Sequence, residues 1–291
     1  MQNSINLIPH HYNFGIDELA YFDEGKGKQT LLLIHGFGED HTVWGNQIEF
    51  LSTHYRIIAP NLPGVHCKPL ALHHSQVPSI RIYVEVLHDL MHHLHIDEYF
   101  IVGHSMGGYI GLSFADYYVN HVQGLLLLHS TTYEDNEAKK LSRMKVAEFI
   151  QEWGVSKYLE TATPNLFGDA FKKTNPETIQ NVIESGLGIG QEAMIQFVFA
   201  MRNRKAMTHL LEQSNLPIWM IAGDTDLAVP IQDSLEQIKL LPSPNSLVLN
   251  EVGHMGMFEA TDQVNEFIHQ CIQSAQQNML SQKYNLCQKL F

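Results

Sequence analysis

The hydrophobic positions of the chain fall into short continuous runs, separated by polar stretches of helix length. Runs that are apolar on both faces and end at Gly, Pro or polar residues are typical of strands buried in a parallel sheet. The predicted strands are Leu31–Ile34, Arg56–Ala59, Tyr99–Val102, Leu125–Leu128, Ile218–Ala222 and Ser246–Leu249. The intervening predicted helices include Ile80–His95, Gly107–Val119 and Ile231–Leu241. This alternation predicts an α/β fold: a mostly parallel central sheet with right-handed crossovers and helices on both faces.

The two ends of the chain depart from this alternation. His11–Glu24 predicts an antiparallel hairpin at the sheet edge, turning near residues 13–15. A last helix is predicted over Thr261–Ile272, and a Gln/Asn-rich tail occupies residues 276–291. A frayed helix, an oligomer contact and disorder all remain open for this tail.

One internal interval, residues 131–215, contains no convincing core strand. It carries amphipathic patterns at Met144–Glu152, Thr178–Glu184 and Ala193–Met201. We therefore predict a helical insertion there, between a core formed by residues 1–130 and 216–275. Insertions at the carboxyl ends of parallel strands lie over the crevice where ligands bind, so the insertion is predicted to be a cap. An extra packing layer without function is the alternative.

Composition narrows the class of protein. The 291 residues are 44% hydrophobic, enough for a sizeable core, and carry 18 Lys+Arg against 31 Asp+Glu, a net charge of −13. This acidic balance argues against nucleic-acid binding, which needs clustered cations. No apolar run reaches the length of a membrane span, and the N-terminus lacks the pattern of a signal peptide. Cys67, Cys271 and Cys287 have no disulfide or zinc spacing, so we expect a cytoplasmic protein with reduced thiols.

A candidate nucleophile, Ser105, lies in the segment GHSMGG at residues 103–108. The segment fits the pattern G-x-S-x-G, and it connects a predicted strand directly to a predicted helix. Such a tight turn forces strained backbone angles on the serine and exposes its hydroxyl above the sheet, at the positive end of the helix. This context predicts a nucleophilic serine.

A nucleophilic serine needs a base, and the base needs an acid that orients it. His254 follows the last predicted strand, where the chain order of this kind of site places the base. Asp224 and Asp226 both follow an earlier strand. We favour Asp226, because it lies deeper in its loop and the apolar residues Leu227–Pro230 would shield a carboxylate–imidazole pair. Asp224 remains the rival, since geometry decides such sites.

Acyl transfer also requires hydrogen-bond donors for the developing oxyanion. One should be the backbone N–H of Met106, the residue after the nucleophile. The other should come from the loop HGFG at residues 35–38, where glycines on both sides of Phe37 allow its N–H to turn into the site.

Taken together, these motifs resemble the α/β-hydrolase fold, and in particular its lidded serine hydrolases: carboxylesterases, meta-cleavage C–C hydrolases and cofactor-free perhydrolases. The matching segments, in order, are His35–Gly38, Gly103–Gly108, Gly223–Pro230 and Gly253–His254. The resemblance implies that Ser105, Asp226 and His254 form a catalytic triad. It also implies an oxyanion hole at Phe37 and Met106, a cap at 131–215, and no cofactor.

The sequence departs from the family pattern at residues 60–69, where Asn61 and His66 replace an aspartate and a glycine of the usual turn. This loop borders the mouth of the site in the family, so specificity is open there. Relatives that act on haloalkanes or epoxides carry an aspartate at the elbow, so Ser105 makes that chemistry improbable.

The chain contains 18 histidines, which raises the question of a metal. His88, His92 and His95 share one face of a predicted helix, at a spacing that can hold a metal ion. They lie beside an apolar stripe without supporting Asp, Glu or Cys, so no metal site is predicted. The pairs His10-His11 and His73-His74 are expected in solvated turns. Apart from His254, we expect nearly all histidines at the surface or in turns.

The sequence thus predicts a serine hydrolase for a small or medium acyl ester, with a small-molecule substrate and undetermined oligomeric state. One alternative is a C–C hydrolase of a vinylogous diketone, with Arg202 and Arg204 as candidates for holding a substrate carboxylate, although solvated helix charges are the favoured interpretation of both. The other alternative is a ligand receptor with slow hydrolysis. Trp153, Phe167 and Phe197 are expected to shape the pocket.

Overall fold

A single eight-stranded sheet forms the centre of the computed structural model, which describes residues 8–14, 17–72 and 77–288, with side chains as far as residue 278. The order across the sheet is β1-β2-β4-β3-β5-β6-β7-β8. The strands are β1 His10–Phe14, β2 Asp17–Glu24, β3 Thr30–Ile34, β4 Arg56–Pro60, β5 Tyr99–His104, β6 Val122–Leu128, β7 Ile218–Gly223 and β8 Ser246–Leu249. β1 and β2 pair antiparallel, and β3 to β8 pair parallel. The α/β fold and all six predicted core strands are confirmed, and the predicted residues 13–15 of the hairpin turn lie partly outside the described residues.

Helices flank both faces of the sheet. They are α1 Gly45–Leu51, α2 Ile80–His93, α3 Met106–Tyr117, α4 Glu137–Ala162, α5 Asp169–Thr174, α6 Pro176–Gly186, α7 Gln191–Arg202, α8 His209–Gln213, α9 Ile231–Ile238, α10 Gly256–Glu259 and α11 Thr261–Gln288. α2 packs against α3, and α1 packs against α11. The prediction that the last helix ends at Ile272 is wrong: α11 continues to Gln288, so the separate tail is helical over 276–288.

The core strands are apolar on both faces because both faces are covered. Every residue of β3, β5 and β7 is buried, including residues that a one-sided sheet would expose to water. Burying such side chains is worth about 1.5–3 kcal/mol each, which fixes the strands as the rigid base of the molecule. Their carboxyl ends carry the loops in which the candidate residues lie.

The described chain between β6 and β7 forms helices α4 to α8 and no strand of the sheet. α4 is interrupted at Gly154, whose φ of 82° only glycine adopts readily, so it consists of two consecutive helices. α4 packs against α7, and an isolated bridge joins Val65 to Ile189. The division into core and insertion is still a prediction.

None of the helices in the described part of the chain has both the length and the apolar character needed to cross a membrane.

Candidate active site

Ser105 occupies a strained turn between β5 and α3. Its φ of 50° and ψ of −113° lie outside the regions that residues other than glycine readily adopt. The surrounding chain holds it there. Its N–H donates to the carbonyl of Leu128 at 2.9 Å, and its own carbonyl accepts from the Ser130 hydroxyl at 2.8 Å. The predicted elbow geometry is therefore present.

The glycines of this turn are required by close approach of backbone to backbone. A Cβ on Gly103 would lie 2.4 Å from the carbonyl oxygen of Gly107, and a Cβ on Gly107 would lie 2.1 Å from that of Ile34. No side chain fits at either position, which explains the G-x-S-x-G spacing in physical terms.

His254 and Asp226 meet at the carboxyl end of the sheet. His254 Nδ1 lies 2.7 Å from Asp226 Oδ2, and both side chains are buried. The other carboxylate oxygen of Asp226 accepts the N–H groups of Ala228 at 2.8 Å and Val229 at 2.9 Å. Burial alone would raise the pKa of Asp226, but the neighbouring imidazole of His254 holds it well below its ordinary value. Asp226 is therefore an anion that fixes the orientation of the His254 ring.

The rival carboxylate, Asp224, does not contact His254. Its backbone N–H donates to the carbonyl of Leu249, and its Oδ1 is buried with no hydrogen-bond partner among the described residues. The expected apolar shield is only partly present: Val229 is buried, but Leu227 is 74% exposed. The expectation that Leu227 shields the pair is wrong, because its side chain points into solvent.

Ser105 and His254 line the same cavity, of about 230 Å³. Its walls also include Phe37 of the loop after β3 and Tyr109 of α3. A larger group of lining residues comes from the insertion: Lys139, Ser142, Arg143, Val146, Tyr158, Leu159 and Met201. The cavity is enclosed enough to hold a small substrate against the serine.

Of the two expected oxyanion donors, Phe37 lines this cavity, and Met106 adjoins Ser105, which also lines it. Met106 begins α3 directly after Ser105, and the ring of Phe37 packs edge-on against that of Tyr158 at 5.7 Å. Among the hydrogen bonds of the described residues, none uses the backbone N–H of Phe37 or Met106. Their role as oxyanion donors stays a prediction.

The expected pocket aromatics do not line this cavity. Trp153 is 60% exposed, Phe167 stacks on Phe171, and Phe197 packs against Tyr83. The expectation that these three side chains shape the pocket is wrong for this cavity, because Trp153 faces solvent and the two phenylalanines are buried against other aromatic rings.

Hydrogen bonds hold the atypical loop after β4, residues 60–69, in place. Asn61 is fully buried and accepts the N–H of His41 at 2.9 Å through its side chain. His66 takes a φ of 53°, and its N–H donates to Gly188 in the insertion at 2.8 Å. The loop therefore docks on the inserted helices.

The expectation that nearly all other histidines lie at the surface is wrong. His35, His41, His104 and His129 are buried together with His254. Burial lowers the pKa of both His41 and His129 to about 4, so these two rings are neutral. The pair His73-His74 lies outside the described residues, whereas His10 and His11 are exposed as expected.

The face predicted from His88, His92 and His95 does not form. α2 ends at His93, and His95 lies beyond it with a φ of 55°. Among the described residues, the group whose ligand atoms lie close enough for a metal is His129, Asp226 and His254. In that group the His129 Nδ1 lies 3.3 Å from Asp226 Oδ2, so both rings share one carboxylate.

A second buried acid–imidazole pair, Glu39 and His104, was missed from the sequence. The carboxylate of Glu39 accepts the N–H of Gly36 at 2.7 Å and lies 3.0 Å from His104 Nδ1, while His104 Nε2 donates to the carbonyl of His254 at 2.9 Å. Burial alone would lower the pKa of His104, but the Glu39 carboxylate has the larger effect and raises it. Burial alone would raise the pKa of Glu39, but the neighbouring His104 has the larger effect and lowers it. The pair joins the Phe37 loop, the elbow and the His254 loop. The one sequence signal that could have indicated this pair is the position of Glu39, directly after the HGFG loop at residues 35–38.

We expect Glu39→Gln to destabilise the fold most at mildly acidic pH. Because the folded pKa of His104 is raised, its stabilising contribution is complete below the unfolded value of about 6.5 and is lost as pH rises through the folded pKa. Glu39 is the opposite case: its contribution is present above about 4.3 and is lost as pH falls through its lowered pKa. Breaking a buried pair costs about 3–5 kcal/mol. Urea unfolding between pH 5 and 9 measures the free energy of unfolding of Glu39→Gln, with the exposed Glu49→Gln as control. An equal loss of unfolding free energy at pH 6 and at pH 9 would contradict the prediction.

The interpretation of Arg204 as a solvated charge is wrong. Its guanidinium lies 2.7 Å from Asp135, which is buried, and packs over the ring of Tyr109 at 4.1 Å. Arg202 is half-buried and donates to Asn203.

The fold and these features are those of an α/β hydrolase. A family model described as alpha/beta hydrolase fold matches residues 29–181, and the chain belongs to this family.

The chain is similar to several hydrolases of known name. It is 27% identical over 256 residues to the 2-hydroxy-6-oxo-6-(2'-aminophenyl)hexa-2,4-dienoic acid hydrolase of Metapseudomonas resinovorans, covering 85% of this chain and 84% of that protein. A solved thermophilic esterase from Thermogutta terrifontis is 27% identical, with a TM-score of 0.80, and the match covers 89% of this chain and 94% of that one.

A third relative is larger than this chain. The dihydrolipoyllysine-residue acetyltransferase component of the acetoin cleaving system of Pseudomonas putida is 27% identical over 248 residues, which is 83% of this chain. The chain spans 63% of the length of that relative.

Proposed function

We propose that this protein is a serine hydrolase that cleaves small or medium carboxylic esters through an acyl-enzyme. The observation that carries the proposal is the 2.7 Å contact between His254 Nδ1 and Asp226, together with the cavity that both His254 and the strained Ser105 line. A solved relative at 27% identity is an esterase. Asp226 rather than Asp224 is assigned as the acid on this contact.

In the first half of the reaction, Ser105 Oγ attacks the ester carbonyl carbon and its proton passes to His254 Nε2. The carbonyl oxygen becomes an oxyanion that accepts hydrogen bonds from the Phe37 and Met106 amides, each worth about 2.7–4 kcal/mol. The imidazolium is stabilised by Asp226 and donates its proton to the departing alkoxide. The alcohol leaves, and the acyl group stays on Ser105.

In the second half, water replaces the alcohol. His254 removes a proton from the water as it attacks the acyl carbon, and the same two amides hold the second oxyanion. The proton then returns to Ser105 Oγ as the acyl–oxygen bond breaks. The products are a carboxylic acid and free enzyme.

We assign the insertion at 131–215 the role of a cap. Several walls of the cavity come from it, among them Lys139, Arg143, Tyr158 and Leu159. A wall of this kind limits the size of the acyl group and excludes water while the serine reacts.

Rapid mixing with excess 4-nitrophenyl butyrate tests the acyl-enzyme. Because the alcohol leaves before deacylation, we expect a burst of about one equivalent of nitrophenol per active site, followed by slower turnover. The same enzyme pretreated with a fluorophosphonate is the control and should give no burst. Turnover that survives full modification of Ser105 would contradict the proposal.

C–C bond hydrolysis by the same triad is the second candidate, because a relative at 27% identity is named as the hydrolase of a 6-oxo-hexadienoic acid, a compound of the vinylogous diketone class. A dienoate diketone substrate, followed by the loss of its visible absorbance, distinguishes the two. Faster turnover of the diketone than of every tested ester would favour the second candidate.

A further inference from the structure

The positive charges around the catalytic cavity are unusual for so acidic a chain. The whole sequence has only 18 Lys+Arg and a net charge of −13, yet Lys139 and Arg143 both line the cavity that contains Ser105 and His254. Both come from the first turns of α4. Their position relative to the nucleophile suggests a function in binding.

Arg143 is already paired, and it shares its partner. Its Nε lies 3.1 Å from one oxygen of Asp135, and Arg204 lies 2.7 Å from the other oxygen. Asp135 is buried, and the exposed fractions of the Arg143 and Arg204 side chains are 15% and 8%. Two guanidinium groups thus share one carboxylate, which leaves one positive charge without an anionic partner in this cluster.

Lys139 has no carboxylate partner among the described residues. Its Nζ contacts only the carbonyl oxygen of Ala228, at 3.3 Å. Burial lowers the pKa of Lys139, and so does the neighbouring Arg143, while the carboxylates of Asp135 and Asp226 act in the opposite direction. Its ammonium therefore has hydrogen-bonding capacity left for a ligand.

The charged groups around Lys139 leave a single positive excess. Lys139 interacts electrostatically with two other cations, Arg143 and Arg204, and with two carboxylates, Asp135 and Asp226, while the Glu39 carboxylate in the cavity wall is paired with His104. Lys139 also lines a neighbouring cavity of about 370 Å³, whose acidic side chains are the buried Asp135, already shared by the two arginines, and the exposed Glu134 and Asp233. A singly charged anion matches this excess better than a doubly charged one.

We propose that Lys139, supported by Arg143, binds a carboxylate of the substrate, so that the preferred esters carry a free carboxylate on the acyl side. This inference rests on the proposed ester hydrolysis at Ser105. The ammonium–carboxylate contact is charge-assisted and largely removed from water, so it holds the far end of the acyl chain while its ester carbonyl lies at Ser105. Lys139 is a specificity-determining residue in this scheme.

The test compares pairs of 4-nitrophenyl esters of equal chain length: the monoesters of glutaric, adipic and pimelic acid against the esters of pentanoic, hexanoic and heptanoic acid. We expect kcat/KM of the wild type to favour the acid member of at least one pair by about tenfold, after correction for uncatalysed hydrolysis. A protein of net charge −13 repels anions overall, so such a preference requires a local cationic site.

Lys139→Met should abolish this preference, measured within each variant as the ratio of kcat/KM for the acid ester to kcat/KM for the neutral ester of equal chain length. The matched control is Lys140→Met: Lys140 adjoins Lys139 in α4, pairs with Glu137 at 2.9 Å and lines neither cavity. The control should keep the wild-type ratio.

Three outcomes are distinguishable. A wild type that hydrolyses the neutral esters without preferring any acid, or a preference that survives in Lys139→Met, overturns the carboxylate site alone. If neither ester class turns over, the experiment measures instead how far adipate protects Ser105 from a fluorophosphonate. Equal protection in the wild type and in Lys139→Met overturns the carboxylate site. No reaction with the fluorophosphonate at all overturns the proposed hydrolase function, and the carboxylate site with it.

Discussion

Ser105→Ala is expected to lower kcat/KM for ester substrates by about a millionfold, the effect of removing the nucleophile from triads of this kind. Without the hydroxyl no acyl-enzyme forms, and only the oxyanion donors and substrate binding remain to assist water. The fold should persist, because the contacts that hold residue 105 are made by its backbone. Steady-state kinetics on 4-nitrophenyl butyrate, with thermal unfolding of the same samples, measures both effects.

Ser105→Gly is the informative companion. It also loses the nucleophile, but glycine adopts the φ of 50° without the strain that serine bears, so it should be more stable than Ser105→Ala by about 1 kcal/mol. Loss of activity together with loss of the folded structure in both variants would contradict the assigned role, since the defect would then be structural.

Asp226→Asn is expected to lower kcat by about 10⁴-fold with little change in substrate binding. The amide that replaces the carboxylate oxygen next to His254 can donate a hydrogen bond to Nδ1. The proton of the ring then sits on Nε2, which can no longer accept the proton of Ser105. The remaining amide oxygen can still accept the N–H groups of Ala228 and Val229, so the loop should keep its conformation.

Asp224→Asn is the matched control, because it lies two residues away and does not contact His254. Activity near that of the wild type is expected. A larger loss in Asp224→Asn than in Asp226→Asn would reverse the assignment of the acid.

The sequence predicted the core strands and the strained turn at Ser105, because both depend on local signals. Tyr99–Val102 is a continuous apolar run, and the glycines around Ser105 are required by backbone contacts that a spacing pattern reflects directly. The contact of His254 with Asp226 brings together loops that follow β7 and β8, two neighbouring parallel strands whose carboxyl ends meet at one edge. Their function as a triad stays a prediction until it is measured.

The buried polar pairs could not be predicted in the same way. His104 and Glu39 are 65 positions apart in the chain, and neither belongs to a pattern that pairs them. Arg204 appeared solvated because it follows a helix end, whereas the fold presses it between Asp135 and Tyr109. The length of α11 was also missed, because its Gln- and Asn-rich second half has no strong apolar period. Such features depend on which elements that are distant in the chain come into contact, and the hydrophobic periodicity of the sequence does not report those contacts.

The most direct test of a nucleophilic Ser105 is its reaction with a fluorophosphonate, followed by intact-mass and peptide mass spectrometry. We expect a single phosphonyl adduct on the peptide that contains Ser105, and no adduct on the Ser105→Ala protein. An adduct elsewhere, an unchanged extent of labelling in Ser105→Ala, or no adduct on the folded wild type would contradict the account.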